Sequence, residues 1–192
     1  MDSLLSLMLR VLYLFAPLIV ASMLAGIVLR FDLLRSLRRP LDAGKTFHGR
    51  RLFGDHKTWR GVVVSVVGCV ISTAVQKYVL GDHAGALALV DYRSANVILF
   101  GASMGGGAML GELPNSFAKR QLGIEPGKAG RGPLGVLFYV WDQIDLLSCW
   151  LFLFCWVRVT IPLIAVSVVM ALALHPLVAL IGFLVGARES AR

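Results

Sequence analysis

Asp142 and Asp145 stand three residues apart inside an apolar run from Leu134 to Val157. Only twelve uncharged residues separate Asp145 from Arg158. As helix that is about 18 Å, short of a hydrocarbon core of about 30 Å. A spanning helix must therefore begin upstream and carry both aspartates within it. A charge at that depth costs about 3 kcal/mol on insertion scales and is expected to face a polar cavity or a partner. The i,i+3 spacing puts both carboxylates on one helix face. Two carboxylates on one face of a water-accessible cavity make a hard-oxygen site for Mg²⁺. The plainer reading is a structural pair bonded to a neighbouring helix; the cost of intramembrane acids favours a functional one.

Two basic segments supply groups of the opposite sign. In the first, Lys45-Thr46-Phe47-His48-Gly49 matches Lys57-Thr58-Trp59-Arg60-Gly61 twelve residues on. Each copy offers an ammonium, a hydroxyl, an aromatic face and a glycine, a set that suits phosphate. Gly44-Lys45-Thr46 is not a P-loop, since the earlier glycine of that pattern would fall at Arg39. A basic patch on anionic lipid headgroups needs charge but no glycines and threonines at set positions. In the second segment, Glu112 sits where an apolar run ends, at the membrane surface and within reach of the aspartates. Ser116 and Lys119 share a face with Glu112 if the segment is helical, and Arg120 adjoins them. A snorkelling Lys-Arg pair at a helix end is the plainer account.

The elements that position these groups follow from composition. Of 192 residues, 57% are hydrophobic, and the mean hydropathy is +0.77. That excludes a soluble domain and indicates one all-α transmembrane domain over 1–192. Five segments are expected to span: Val11–Leu29, Gly61–Val75 extendable to Leu80, Ser94–Gly111, the aspartate segment, and Val159–Gly186 with a kink at His175-Pro176. The N-terminus lacks the basic start and small-residue cleavage site of a signal peptide, so the first helix is expected to stay. The formal charge is +8. Nine Lys/Arg fall in 30–60, four in 112–133 and two in the tail, against Arg10, Lys77, Arg93 and Arg158 elsewhere. The positive-inside rule places loops 30–60 and 112–133 and the C-terminus in the cytoplasm, with the N-terminus outside. Cys69, Cys149 and Cys155 lie in spans without metal or redox spacing and read as packing residues. Gly101/Gly105 and Gly107/Gly111 suit close helix contact.

Three blocks carry a family resemblance. They are Pro40-x-Asp42-x-Gly44-Lys45-Thr46 with Arg50-Arg51-x-Phe53-Gly54 and Lys57-Thr58-Trp59-Arg60-Gly61; Gly111-Glu112 through Ser116-Phe117-x-Lys119-Arg120 to Gly123 and Pro126-Gly127; and Asp142-Gln143-x-Asp145. In this order the chain resembles CTP-dependent lipid cytidylyltransferases, the CDP-archaeol synthase branch of the phosphatidate cytidylyltransferase superfamily. The family usually has aspartate where this chain has Glu112, a Mg²⁺-competent acid one methylene longer. The resemblance implies a membrane enzyme of phospholipid biosynthesis that converts CTP and a lipid phosphate, ether-isoprenoid or diacyl, to a CDP-lipid and pyrophosphate. It implies Mg²⁺ at Glu112, Asp142 and Asp145, with an additional monovalent cation left open. Catalytic roles fall to those acids and Lys119; Lys45, Thr46, Arg50, Lys57, Thr58, Arg60, Ser116 and Arg120 bind substrates. Lys57, Thr58 and Arg60 are the first candidates for CTP phosphates, while Lys119 and Arg120 take the lipid phosphate or the pyrophosphate. Expected partners are CTP, the lipid phosphate and membrane lipids, with no nucleic acid; homodimer formation is left open. The expected location is the cell membrane. A CTP-dependent polyprenol or phytol kinase and a non-catalytic membrane paralogue are the alternatives.

Overall fold

The computed structural model describes residues 3–126, 128, 130 and 132–184, without the side chains of 82–84, 143, 145, 146, 175, 176, 178, 179 and 181–184. Helix α1 runs Leu4–Arg30, capped by Ser3, whose hydroxyl accepts from the Ser6 amide. A short hairpin follows, β1 (Thr46–Phe47) paired antiparallel with β2 (Arg50–Arg51). Helix α2 (Trp59–Val75) continues into a π-helical turn over Gln76–Leu80. Helix α3 covers Val97–Gln121; its Asn96 cap accepts from the Ile98 and Leu99 amides. The remaining helices are α4 (Gly132–Ile144), α5 (Trp150–Leu153) and α6 (Ile161–Leu184).

Among the described residues, α1, α2 with its π turn, and α3 are long and apolar enough to cross a membrane. A fourth crossing arises if the bent pair Gly132–Asp142 and Leu147–Leu153 counts as one span; Ile161–Leu174 of α6 is a shorter apolar stretch. Large side chains such as Leu151 and Ile161 stand outside the protein core on these helices. That is the expected state of a surface facing lipid. The chain is thus an all-α multi-pass membrane protein, apart from the hairpin.

Small residues bring the helices together. A Cβ on Gly68 would lie 3.0 Å from the Ala21 Cβ, so α1 and α2 touch almost backbone to backbone. Cβ atoms on Gly101 and Gly105 would lie 2.6 Å from the Val70 Cα and 2.5 Å from the Ser65 carbonyl oxygen. The Ser65 hydroxyl donates to the Gly105 carbonyl across that contact at 3.1 Å. The glycine stripe of the third span is a packing device, as its spacing indicated.

One expectation is met and one needs correction. The second basic segment is helical, as the shared face of Glu112, Ser116 and Lys119 requires: α3 runs nine residues past Glu112, to Gln121. Pro114 lies inside and removes one ladder hydrogen bond without ending the helix. The aspartates, conversely, do not share one continuous helix. α4 stops at Ile144, a 3₁₀ turn spans Asp145–Cys149, and the axis bends by 51°. The bend fits the chain against α3: Ser148 donates to the Gly107 carbonyl at 3.0 Å, and a Cβ on Gly107 would lie 2.7 Å from the Phe152 ring. Irregular backbone at this depth is tolerated where protein or a polar cavity covers it.

Candidate functional site

The site begins with the loop between α1 and α2, which Asp42 organises. This residue is 3% exposed. It accepts hydrogen bonds from the backbone amides of Gly44, Phe53 and Gly54 at 3.1, 3.0 and 3.0 Å. The Arg51 guanidinium adds a contact of 2.6 Å. Burial pushes the Asp42 carboxyl up, but Arg51 and the three amides outweigh burial and hold it well below the usual carboxylate range. Arg51 also reaches Asp55 at 2.9 Å. The hairpin turns at His48 and Gly49, both with positive φ. Two such residues make a twist-matched type I′ turn, and glycine adopts it without strain.

The two copies of the Lys-Thr-aromatic unit therefore fold differently. The first becomes β1 and its turn, leaving Lys45 and Thr46 exposed. The second starts α2: Thr58 is its N-cap, and the Thr58 hydroxyl accepts from the Gly61 amide at 3.4 Å. Backbone pairing of Leu41 with Lys57 and of Arg39 with Trp59 ties the two ends of the loop together.

Helix α3 presents Glu112, Asn115, Ser116 and Lys119 on one face, at i, i+3, i+4 and i+7. Glu112 accepts a hydrogen bond from the Lys57 ammonium, joining the loop to the helix. Lys119 donates to both oxygens of Asp142, at 2.6 Å for Oδ2, and lies 5.6 Å above the centre of the Phe138 ring. Asn115 donates to Asp142 Oδ1 at 2.7 Å. A cavity of about 180 Å³ opens beside the first pair. Lys57, Thr58, His56 and Glu112 belong to its polar lining; Leu18, Ala21 and Met109 belong to its apolar wall.

At the far end of α3, Arg50 donates to the Gln121 carbonyl and docks the hairpin on the helix terminus. Arg120 packs beside Gly54, its Cδ 3.5 Å from where a Cβ would sit. Its Nε and Nη1 are buried without a hydrogen-bond partner among the described residues.

The structure thus brings Lys57, Thr58 and Glu112 to one cavity and joins Lys119 to Asp142, with Ser116 on the same helix face. It does not bring Arg60 to this group. Arg60 is 6% exposed and donates to Asp32 and to the Leu33 carbonyl at 2.8 and 3.2 Å. Helix α2 turns it toward the start of the loop, where it acts as an anchor. The side chain of Asp145 lies outside the described residues. Sequence reasoning missed Asp42, Asn115 and Phe138 as parts of the site. An aspartate two residues before a glycine signals an Asx turn, and Asn115 falls in the Glu112/Lys119 helical register.

Carboxylates at Glu112 and Asp142 are hard-oxygen donors, and each already attracts a cationic nitrogen. That chemistry fits a divalent cation such as Mg²⁺. Among the described residues, no three His, Cys, Asp or Glu side chains form a ready-made metal cluster.

A family model described as CDP-archaeol synthase matches residues 4–191. The CDP-archaeol synthase of Methanosphaerula palustris is 35% identical over 158 residues, 78% of this chain and 87% of that protein. The same-named protein of Methanoculleus marisnigri is 34% identical over 163 residues, again 78% and 87%. A solved structure of an intramembrane enzyme for archaeal membrane lipids biosynthesis shares the fold. Its TM-score is 0.61 at 24% identity, over 85% of this chain and 89% of that one.

Proposed function

The chain belongs to the CDP-archaeol synthase family, and we propose on that basis that it transfers the cytidylyl group of CTP to an ether-isoprenoid lipid phosphate. The products are a CDP-lipid and pyrophosphate. The observation that carries this reading is the pair of acid–ammonium contacts on α3, Lys57–Glu112 and Lys119–Asp142. They set phosphate-binding cations beside metal-binding carboxylates.

An oxygen of the lipid phosphate attacks the α-phosphorus of CTP, and pyrophosphate leaves. No covalent enzyme intermediate is needed, so the protein's tasks are positioning and charge neutralisation. Lys57 and the Thr58 hydroxyl, at the N-terminus of α2 and on the cavity wall, face incoming phosphate. Lys119 and Arg120 serve the leaving pyrophosphate or the lipid phosphate. Arg50 and Asp42 hold the hairpin in place, and Lys45 and Thr46 extend from it toward the nucleotide. Ser116 lines the helix face between the two acid–ammonium pairs. Glu112 and Asp142, with Asp145 next along the chain, would hold Mg²⁺, which supplies electrostatic stabilisation of the triphosphate. The apolar wall beside Lys57 lets lipid chains stay in the bilayer while the headgroup meets CTP.

The whole chain acts as one transmembrane unit of the cell membrane. The Lys/Arg bias supports cytoplasmic loops and C-terminus with an outside N-terminus.

Label position tests the reaction. With purified protein, Mg²⁺ and an ether-isoprenoid glycerol phosphate, α-labelled CTP should mark the lipid and γ-labelled CTP should not. Label from the γ-position alone would establish phosphoryl transfer and overturn the proposal.

A further inference from the structure

We infer that residues 31–39, with Trp59 paired to them, form an interfacial surface that gathers phosphomonoester lipids from the bilayer and delivers them to the cavity. The inference rests on the proposed lipid-phosphate substrate and adds the route by which it arrives.

The segment follows α1 directly after Arg30. A helix of 27 residues is about 40 Å long, enough to cross a hydrocarbon core of about 30 Å, so the segment lies at headgroup level. Its backbone is left-handed at Asp32 and Leu34, with φ of 45° and 55°. Such backbone is unfavourable for residues with side chains and persists where surrounding contacts hold it. Arg60 supplies those contacts, donating to the Asp32 carboxylate and the Leu33 carbonyl. The held shape leaves Phe31, Leu33 and Leu34 exposed. At a membrane interface, apolar side chains of this kind are buried by lipid. Trp59 is also exposed, at the matching end of α2, and aromatic side chains favour that level. Its amide donates to the Arg39 carbonyl at 3.0 Å, tying it to the segment.

The same segment is basic. The Arg35 and Arg38 side chains are 78% and 66% exposed, and Arg39 is exposed as well. Asp32 is the one acid between Phe31 and Arg39. It is shared by Arg35, Arg38 and Arg60 at 3.0, 3.8 and 2.8 Å. Positive charge is therefore in excess, and guanidinium forks match phosphate oxygens. A phosphomonoester carries about −1.5 to −2 charges at neutral pH, more than the roughly −1 of a phosphodiester headgroup. The surface thus favours a lipid with a terminal phosphate over bulk anionic lipid. The cavity adjoins it. The Leu41 amide donates to the Lys57 carbonyl at 2.8 Å, and Leu41, Lys57 and Thr58 all line the cavity. Ser22 and Ala25 line it from α1, the helix that leads into the basic segment. A lipid held at the arginines reaches Lys57 by a short slide along α1, its chains still in the bilayer.

The test reads lipid contact directly, without CTP. Purified full-length protein in phosphocholine bilayers receives photoactivatable lipids with identical chains and three headgroups: phosphomonoester, phosphoglycerol and phosphocholine. Cross-links mapped to residues 31–39 should favour the monoester over phosphoglycerol by roughly threefold or more, with phosphocholine lowest. The combined variant Arg35→Gln, Arg38→Gln, Arg39→Gln should lose the preference, and lysine at the same three positions should keep most of it. In turnover, the glutamine variant should raise the KM for lipid phosphate, as a mole fraction, by roughly threefold. Its kcat and its KM for CTP should match wild type. Equal labelling of the wild type by monoester and phosphoglycerol would overturn the inference and needs no variant. An undiminished preference in the folded glutamine variant would overturn it too. Failure of the underlying reaction looks different: the cross-linking pattern persists while no CDP-lipid forms from CTP and Mg²⁺.

Discussion

Lys119 on α3 reaches across to Asp142 on α4, touching both carboxylate oxygens while its ammonium rests over the Phe138 ring. This contact fixes two helices to one another at the point where the α4 axis is about to bend. It also sets a cation directly beside an acid at the candidate site.

Replacing Asp142 by Asn removes the charge and keeps the shape. CDP-lipid formation should fall at least 100-fold in kcat/KM, about 3 kcal/mol of transition-state stabilisation. Thermal stability in detergent should change little, because the Asp142 side chain is 42% exposed and its ion pair is partly screened. Turnover near the wild-type rate would remove Asp142 from the site.

Asp42 makes the loop sensitive to acid. Its folded-state carboxyl lies below the unfolded value, so its contribution is complete above the ordinary carboxylate pKa and is lost as pH falls toward the depressed value. The amide resonance of Gly54, which donates to Asp42, should be steady from neutral pH down to about 5 and shift only below about 4. Asp42→Asn should loosen the loop at every pH, at a cost of about 2–3 kcal/mol, and raise the KM for CTP. A Gly54 resonance already disturbed at neutral pH in the wild type would refute this account.

Arg60 separates anchoring from binding. Arg60→Ala removes a 6% exposed side chain paired with Asp32 and should cost about 2 kcal/mol of stability. The KM for CTP should stay within about twofold, the difference read against a cost borne by the fold. A large KM effect in a protein that melts normally would return Arg60 to the phosphate site.

Glycine contacts on α3 can be tested by adding one methyl group. In Gly105→Ala the new Cβ would lie 2.5 Å from the Ser65 carbonyl oxygen, so backbone must move. Unfolding should occur at lower temperature by about 1–3 kcal/mol of destabilisation. Gly106→Ala, whose nearest neighbour is a side-chain methyl at 4.0 Å, should behave like wild type and serves as the control.

The sequence by itself determined the membrane class, the basic loops and the residues with the chemistry. Apolar length, charge placement and side-chain type act locally and need no knowledge of the fold. The i,i+4 and i,i+7 register of Glu112, Ser116 and Lys119 was also legible, because a helix converts spacing directly into a shared face. Contacts over long sequence separations were not legible. Identical Lys-Thr units became a hairpin and a helix cap because Asp42 and the Gly49 turn captured one and α2 the other. The helix expected to hold both aspartates broke at Asp145, where Ser148 and Phe152 fit the gap left by Gly107. Tertiary packing alone decided that Arg60 pairs with Asp32 while Lys57 pairs with Glu112. A cation near several acids takes the one that the surrounding backbone brings within reach.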